Sequence, residues 1–214
     1  MTHFYSKEES LTRLKDLAPD QLQAFNDFNM AVFKDSMLTR KEKEIIAVAI
    51  THVTQCPYCI DYHTKNAKRV GATLEELSEA VFVTAAVEAG GAVTHSTHIH
   101  NAKDTEASNS LYERSNLKSL GQLVKFSKEA FRGYQAFSTA ATKDGKLSGK
   151  FKEIIAVAVA TATQCPYCID VHTKNAEKLG ATNEELVEAV MVSSALRAGG
   201  AYAHMRIMMA SFTD

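Results

Sequence analysis

All four cysteines of the 214-residue chain lie in two copies of one unit, Cys-Pro-Tyr-Cys-Ile-Asp-x-His, at Cys56–His63 and Cys165–His172. A proline directly after the first cysteine favours a helix start there, because proline is well placed at the first helical position. Cys56 and Cys165 are then expected at N-caps, with Cys59 and Cys168 in the first turns. Backbone N–H groups and the positive end of the helix both stabilise a thiolate in that setting, and thiolate character turns a structural cysteine into a nucleophile. His63 and His172 follow Cys59 and Cys168 by four residues, on the same face one turn on. An imidazole there can take or return a proton.

A carboxylate precedes each unit. Glu44 stands twelve residues before Cys56, and Glu153 twelve before Cys165. If the two helices form an antiparallel hairpin about the cysteine, a rise of ~1.5 Å per residue puts Glu44 ~18 Å and His63 ~10 Å from the turn. Two long side chains and a water can span that difference, so Glu44 can orient His63, and Glu153 can orient His172, as a base. Taken alone, a glutamate in Lys-Glu-Lys-Glu is more often a solvated surface charge.

The elements that must position these groups are written twice. A shift of 109 positions aligns the halves without a gap from about Leu22 to Thr97, with more than half of the positions identical. Repeats on this scale indicate a duplicated domain rather than a solenoid. The expected organisation is a first repeat over 1–101, a polar linker over 102–110 and a second repeat over 111–214. Both repeats read as helical. Leu22, Phe25, Phe28, Val32 and Phe33 share one face. Thr39-x-x-Glu42, Thr73-x-x-Glu76 and Thr182-x-x-Glu185 read as capping boxes, and Gly71 and Gly180 as C-terminal caps. Gly90-Gly91 and Gly199-Gly200 are expected to break the chain before a final helix. The expected architecture is all-α, a tandem duplication forming two pseudo-symmetric helix bundles.

Composition narrows the function. A hydrophobic share of 45% with 23% charged residues fits a globular chain rather than a disordered one. The net charge of −1 argues against a nucleic-acid binder. The longest apolar stretches, around Ile45–Ile50 and Ile154–Ala162, fall short of the ~20 residues a bilayer needs. With no apolar leader at the start and few cysteines, the expectation is a cytoplasmic protein without a membrane partner. No Gly-rich dinucleotide fingerprint is present, so no nicotinamide or flavin cofactor is expected.

The pattern Glu-x11-Cys-x-x-Cys-x-x-x-His, present in both halves, resembles the AhpD-like branch of the carboxymuconolactone decarboxylase family. The resemblance implies an all-α thiol peroxidase and disulfide oxidoreductase. It implies that Cys59 and Cys168 attack a hydroperoxide, that Cys56 and Cys165 resolve the sulfenic acid, and that Glu44 with His63 and Glu153 with His172 relay protons. Electrons would come from an external dithiol such as dihydrolipoamide, or a lipoyl-carrying protein, and could pass on to a peroxiredoxin. Three fused chains would rebuild the six-domain ring of single-repeat members, so a homotrimer is expected. AhpD carries a histidine between its cysteines. Tyr58 and Tyr167 stand there in this chain, a departure that bears on the peroxide step more than on thiol–disulfide exchange.

Two other readings compete. One is the lactone decarboxylase chemistry of the same family, and the other a redox-sensing or metal-binding module. A zinc site normally needs two Cys-x-x-Cys pairs close in sequence, and these are separated by a whole repeat. His95 and its counterpart His204 read as packing or capping residues, and His95, His98 and His100 as a surface patch with some metal-binding character. Asp61 and Asp170 fit a helix's first turns.

Overall fold

The computed structural model describes residues 9–103, 106 and 110–213. Much of the expected linker (residues 104, 105 and 107–109) lies outside them. The described residues form helices throughout, without a strand. In the first half these are α1 (Glu9–Thr12), α2 (Leu14–Leu17), α3 (Pro19–Val32), α4 (Arg40–Thr54), α5 (Pro57–Arg69), α6 (Leu74–His95) and α7 (Thr97–Asn101). A 3-10 segment, Arg114–Leu120, opens the second half. It is followed by α8 (Gly121–Phe126), α9 (Lys128–Thr142), α10 (Gly149–Ala162), α11 (Pro166–Lys178) and α12 (Asn183–Thr213).

The start signals act as read. Thr39 and Thr73 form complete capping boxes with Glu42 and Glu76. Thr182 and Glu185 exchange the same two hydrogen bonds at the start of α12. Gly71 and Gly180 take φ +86° and +85°, the left-handed conformation that ends α5 and α11 at little cost only for glycine.

The diglycines do not break the chain. α6 runs through Gly90-Gly91 and α12 through Gly199-Gly200. At Gly90 the missing Cβ is a packing requirement: a methyl there would stand 2.7 Å from the Tyr134 hydroxyl on α9. Tertiary contact has overridden a weak local propensity.

The two helical repeats pack against each other around a shared core. One apolar cluster runs from Val32 and Phe33 through Ile45–Ile50 to Ile154–Ala160 and Leu196. α4 and α10 are its centre, buried along most of their length. Each repeat's long last helix serves the other repeat: α6 packs on α9 and α10, and α12 on α3 and α4. Phe82 meets Phe137 edge-on at 6.4 Å, and Phe25 stacks on Tyr202 at 4.5 Å.

Two carboxylates fasten this exchange. Glu188 accepts the backbone N–H of Leu38 at 2.9 Å and of Met37 at 3.2 Å, and pairs with the buried Lys43 at 3.2 Å. Glu79 does the same for Lys146 and Leu147, both at 2.9 Å, and for the buried Lys152 at 2.9 Å.

One helical stretch, Leu74–Asn101, is long and apolar enough by composition to cross a membrane. That corrects the expectation from sequence that no stretch qualifies. Its buried residues, among them Leu77, Ala80, Val83 and Val87, join the shared core. A core helix of this kind reaches the same hydropathy without a bilayer.

Candidate active site

The residue before a proline is pushed out of the helical region, and an N-cap needs that extended conformation. Cys56 (φ −88°, ψ 105°) and Cys165 (φ −90°, ψ 103°) satisfy both demands at once. Gln55 and Gln164, one residue earlier, adopt φ 52° and 57° and reverse the chain into the cysteine-bearing helix. Each N-cap sulfur then accepts the backbone N–H three residues on, Cys59 to Cys56 and Cys168 to Cys165, both at 3.3 Å. In the second site Cys165 Sγ and Cys168 Sγ lie 2.9 Å apart and are hydrogen-bonded. All four cysteines are free and buried.

The hairpin also brings glutamate to histidine. Glu44 Oε2 lies 2.7 Å from His63 Nδ1, and Glu153 Oε2 lies 2.7 Å from His172 Nδ1. Bound to the carboxylate through Nδ1, each ring keeps Nε2 for proton exchange. The surroundings differ. The wholly buried Glu44 gives its other oxygen to Arg40 at 2.7 Å. Position 149 holds glycine in place of Arg40, and Glu153 has Asn175 at 3.5 Å. A hollow of about 460 Å³ beside Phe33, Lys34, Arg40 and Arg69 reaches Glu44 but neither cysteine. It bounds the carboxylate end of that relay.

Electrostatics separate the cysteines. The Cys165 thiol is lowered to about 5, chiefly by its hydrogen bond with Cys168. Burial opposes this, while the Cys168 backbone N–H, Thr94 and His95 add to it. Cys168 is pushed well above the ordinary thiol range by the same hydrogen bond, by burial and by its neighbour's charge. Burial, then the hydrogen bond with Cys56, drives Cys59 upward as well. Mutual contact and burial thus set the two thiols of the second site apart, Cys165 towards the thiolate and Cys168 towards the thiol, whereas the resemblance assigns the attacking thiolate to Cys168.

Sequence reading missed the groups that close the second site. Thr94 Oγ1 of α6 lies 3.8 Å from Cys165 Sγ. His95 meets the Tyr167 ring edge-on at 5.5 Å. Tyr167 is fully buried; its hydroxyl accepts from Asn116 at 2.7 Å, and Tyr112 packs beside its ring at 5.0 Å. Tyr134 is close enough to sense both sulfurs: burial raises its phenol, and their charge adds to that. Asp170 pairs with Arg114 at 2.6 Å, pinning the 3-10 segment to α11. In the first site Tyr58 is partly buried, with His204 edge-on at 6.0 Å and the Arg206 guanidinium 5.3 Å over its ring. Of these groups the sequence singles out the histidine after each diglycine, Tyr58 and Tyr167 between the cysteines, and Asp170, but not the contacts they make. Among the described residues no group of three or more His, Cys, Asp or Glu side chains is arranged to hold a metal ion.

An all-α duplication carrying paired cysteines and a buried glutamate–histidine pair in each half defines the class. The chain belongs to the carboxymuconolactone decarboxylase family, which matches it over residues 19–101 and again over 128–209. It is 49% identical over 72 residues to the Paracoccus denitrificans uncharacterized protein 4 in the cox locus, covering 34% of this chain and 65% of that protein. An uncharacterized protein of Cupriavidus necator is 34% identical over 82 residues, 38% of this chain and 73% of its own length. Both aligned stretches are no longer than one of the two matched spans. A crystal structure of a candidate gamma-carboxymuconolactone decarboxylase subunit from Burkholderia xenovorans superposes with a TM-score of 0.71 over 96% of this chain and 91% of that one. At 22% identity that likeness concerns the fold.

Proposed function

We propose that the chain is a thiol-dependent peroxidase and disulfide oxidoreductase with one redox site in each repeat. The observation that carries the reading is the 2.9 Å approach of Cys165 Sγ and Cys168 Sγ at the start of α11. Cys165 as thiolate attacks the distal oxygen of a hydroperoxide. The O–O bond breaks, the alcohol leaves once protonated, and Cys165 becomes a sulfenic acid. Cys168 gives its proton to the His172–Glu153 pair and attacks Cys165 Sγ. The S–S bond forms, the S–O bond breaks, and the hydroxide takes a proton to leave as water. Two thiols have lost two electrons and the peroxide has gained them.

An external dithiol, of the dihydrolipoamide type or carried on a lipoyl protein, returns the electrons by thiol–disulfide exchange. A peroxiredoxin is a further candidate for that chain of transfer. Four free thiols at work suit a reducing compartment, and the reading places the protein in the cytoplasm. Three chains are proposed to assemble into a ring of six repeats, with the exposed Leu74, Phe82, Val187 and Phe212 as apolar surface available for contact. A chain-sized mass by light scattering at micromolar concentration would contradict the trimer. The decarboxylase chemistry of other family members would leave the four cysteines without a task.

The experiment is steady-state hydroperoxide consumption with an excess of dithiol. Cys56→Ser combined with Cys165→Ser, which removes the attacking sulfur of each site, is expected to abolish it. Turnover that survives both changes rejects the reading.

A further inference from the structure

Cys165 Sγ has neighbours from both repeats. From its own helix come the Cys168 backbone N–H at 3.3 Å and Cys168 Sγ at 2.9 Å. From the first repeat comes a hydroxyl. Thr94 Oγ1, near the end of α6, lies 3.8 Å from the same sulfur. Gly90, one turn earlier on that face of α6, admits Tyr134 of α9 and so lets α6 lie close against the second repeat. A hydroxyl has one hydrogen and two lone pairs. The Gly91 carbonyl oxygen stands 3.1 Å from Thr94 Oγ1, so that hydrogen has two destinations. Beside a protonated Cys165 it stays on the carbonyl, and a lone pair can take the S–H. A thiolate only accepts, and rotation about the Cβ–Oγ bond turns the hydrogen to the sulfur. Cys165 is 4% exposed, so little water competes for that place. The counterpart of Thr94 in the other half is Ala203, which has no hydroxyl to offer.

Resting on the peroxidase reading, we propose that Thr94 is a catalytic residue of the second site, contributed by the first repeat, whose hydroxyl holds the negative charge on Cys165 for its attack on the peroxide. The attack is the one already written. An electron pair passes from Cys165 Sγ to the distal oxygen, the O–O bond breaks, and the alcohol leaves once protonated. The sulfenic acid carries no charge, and the hydroxyl hydrogen returns to Gly91. The two sites share the Cys-Pro-Tyr-Cys-Ile-Asp unit and differ in this group. The second is complete only when the first repeat is folded against it, and position 203 supplies the first with no equivalent.

The test uses the full chain with Cys56→Ser, Cys59→Ser and Cys168→Ser, so that Cys165 alone reacts and titrates as a single thiol. Its alkylation by iodoacetamide is followed against pH. Thr94→Val keeps the shape of the side chain and loses the hydroxyl, whereas Thr94→Ser keeps the hydroxyl and loses the methyl. The titratable groups about the site (His172 with Glu153, His95, Tyr134 and Tyr167) are the same in every variant. With Thr94→Val the midpoint should rise by about one unit, the lower range of what a hydrogen bond to a charged group is worth. With Thr94→Ser it should stay where the parent has it. Below the midpoint, sulfenic acid formation with cumene hydroperoxide, trapped by dimedone, should slow ~3-fold in Thr94→Val. Tenfold less thiolate is offset, by about half on a logarithmic scale, by the greater nucleophilicity of a sulfur released from its donor. A midpoint that Thr94→Val does not move overturns the inference and leaves the peroxidase reading standing. A Thr94→Ser variant that shifts as far as Thr94→Val also overturns it, because loss of packing then explains both. A Cys165 that alkylates but never yields a sulfenic acid, with Thr94 in place, rejects the peroxidase reading and the catalytic role with it.

Discussion

Glu153 Oε2 lies 2.7 Å from His172 Nδ1, and 109 positions earlier Glu44 Oε2 stands at the same distance from His63 Nδ1. A carboxylate on Nδ1 fixes which ring nitrogen exchanges protons, and His172 lies one helical turn beyond Cys168, a thiol that its contact with Cys165 and burial hold protonated. Glu153→Gln should therefore leave the attack on peroxide intact and slow disulfide formation ~100-fold, as loss of a general base does. Trapping with dimedone, with Cys56 and Cys59 both changed to Ser, should show a sulfenic acid persisting on Cys165. Disulfide formation at the unmodified rate would remove the pair from the mechanism.

The order of the two cysteines makes a second prediction. Because the Cys165 pKa falls to about 5, its thiolate persists down to that pH, whereas an ordinary thiol protonates near 8.5. The pH profile of its alkylation should rise with a midpoint near 5, and Cys168→Ser should still form a sulfenic acid. The sign for stability follows. The folded chain releases this proton more readily than the unfolded chain, so the contribution is present above the unfolded thiol's pKa and is lost as pH falls through about 5. A midpoint above 8, with sulfenic acid forming on Cys168 instead, would return the attack to the cysteine the resemblance names.

Glu79 and Glu188 join the repeats. Burial opposes the charge on Glu79, but the Leu147 and Lys146 backbone N–H groups and the Lys152 ammonium outweigh it and hold the carboxyl at about 2. Its stabilising contribution is present above pH 4.5 and is lost as pH falls through about 2. Glu79→Gln should cost ~1–3 kcal/mol near neutral pH, the usual penalty for buried polar partners left short of a hydrogen bond. Urea denaturation at pH 7 measures it. A cost below the experimental error would mean the clamp is ornamental.

Glycine substitutions separate packing from backbone need. Gly91 lies mid-helix with nothing within 4 Å of an added Cβ, so Gly91→Ala should stabilise by ~0.5–1 kcal/mol. Gly71 takes φ +86°, and Gly71→Ala should destabilise by ~1 kcal/mol or more although its surroundings are open. Thermal unfolding of both variants gives the comparison, and equal shifts would contradict it.

The readable parts of this protein were local. Capping boxes, glycine stops, the proline that makes each cysteine an N-cap and the Glu–His pairing all rest on short spacings within a single helical hairpin. What escaped was set by contacts between repeats. Nothing near Cys165 announces Thr94 or His95, and nothing near Leu38 announces Glu188 some 150 residues away. The diglycines were misread because their purpose, at least at Gly90, is to admit Tyr134 from the other half. Arg40 and its replacement by Gly149 were visible as letters, but their effect on Glu44 and Glu153 depends on which carboxylate oxygen is left over.

The most direct test of the central claim is the intact mass of the reduced chain before and after one equivalent of hydroperoxide per site. The account predicts a loss of four hydrogens, two for each Cys-x-x-Cys pair, with peptide mapping placing the disulfides at Cys56–Cys59 and Cys165–Cys168. A chain that keeps four alkylatable thiols after that treatment would contradict it.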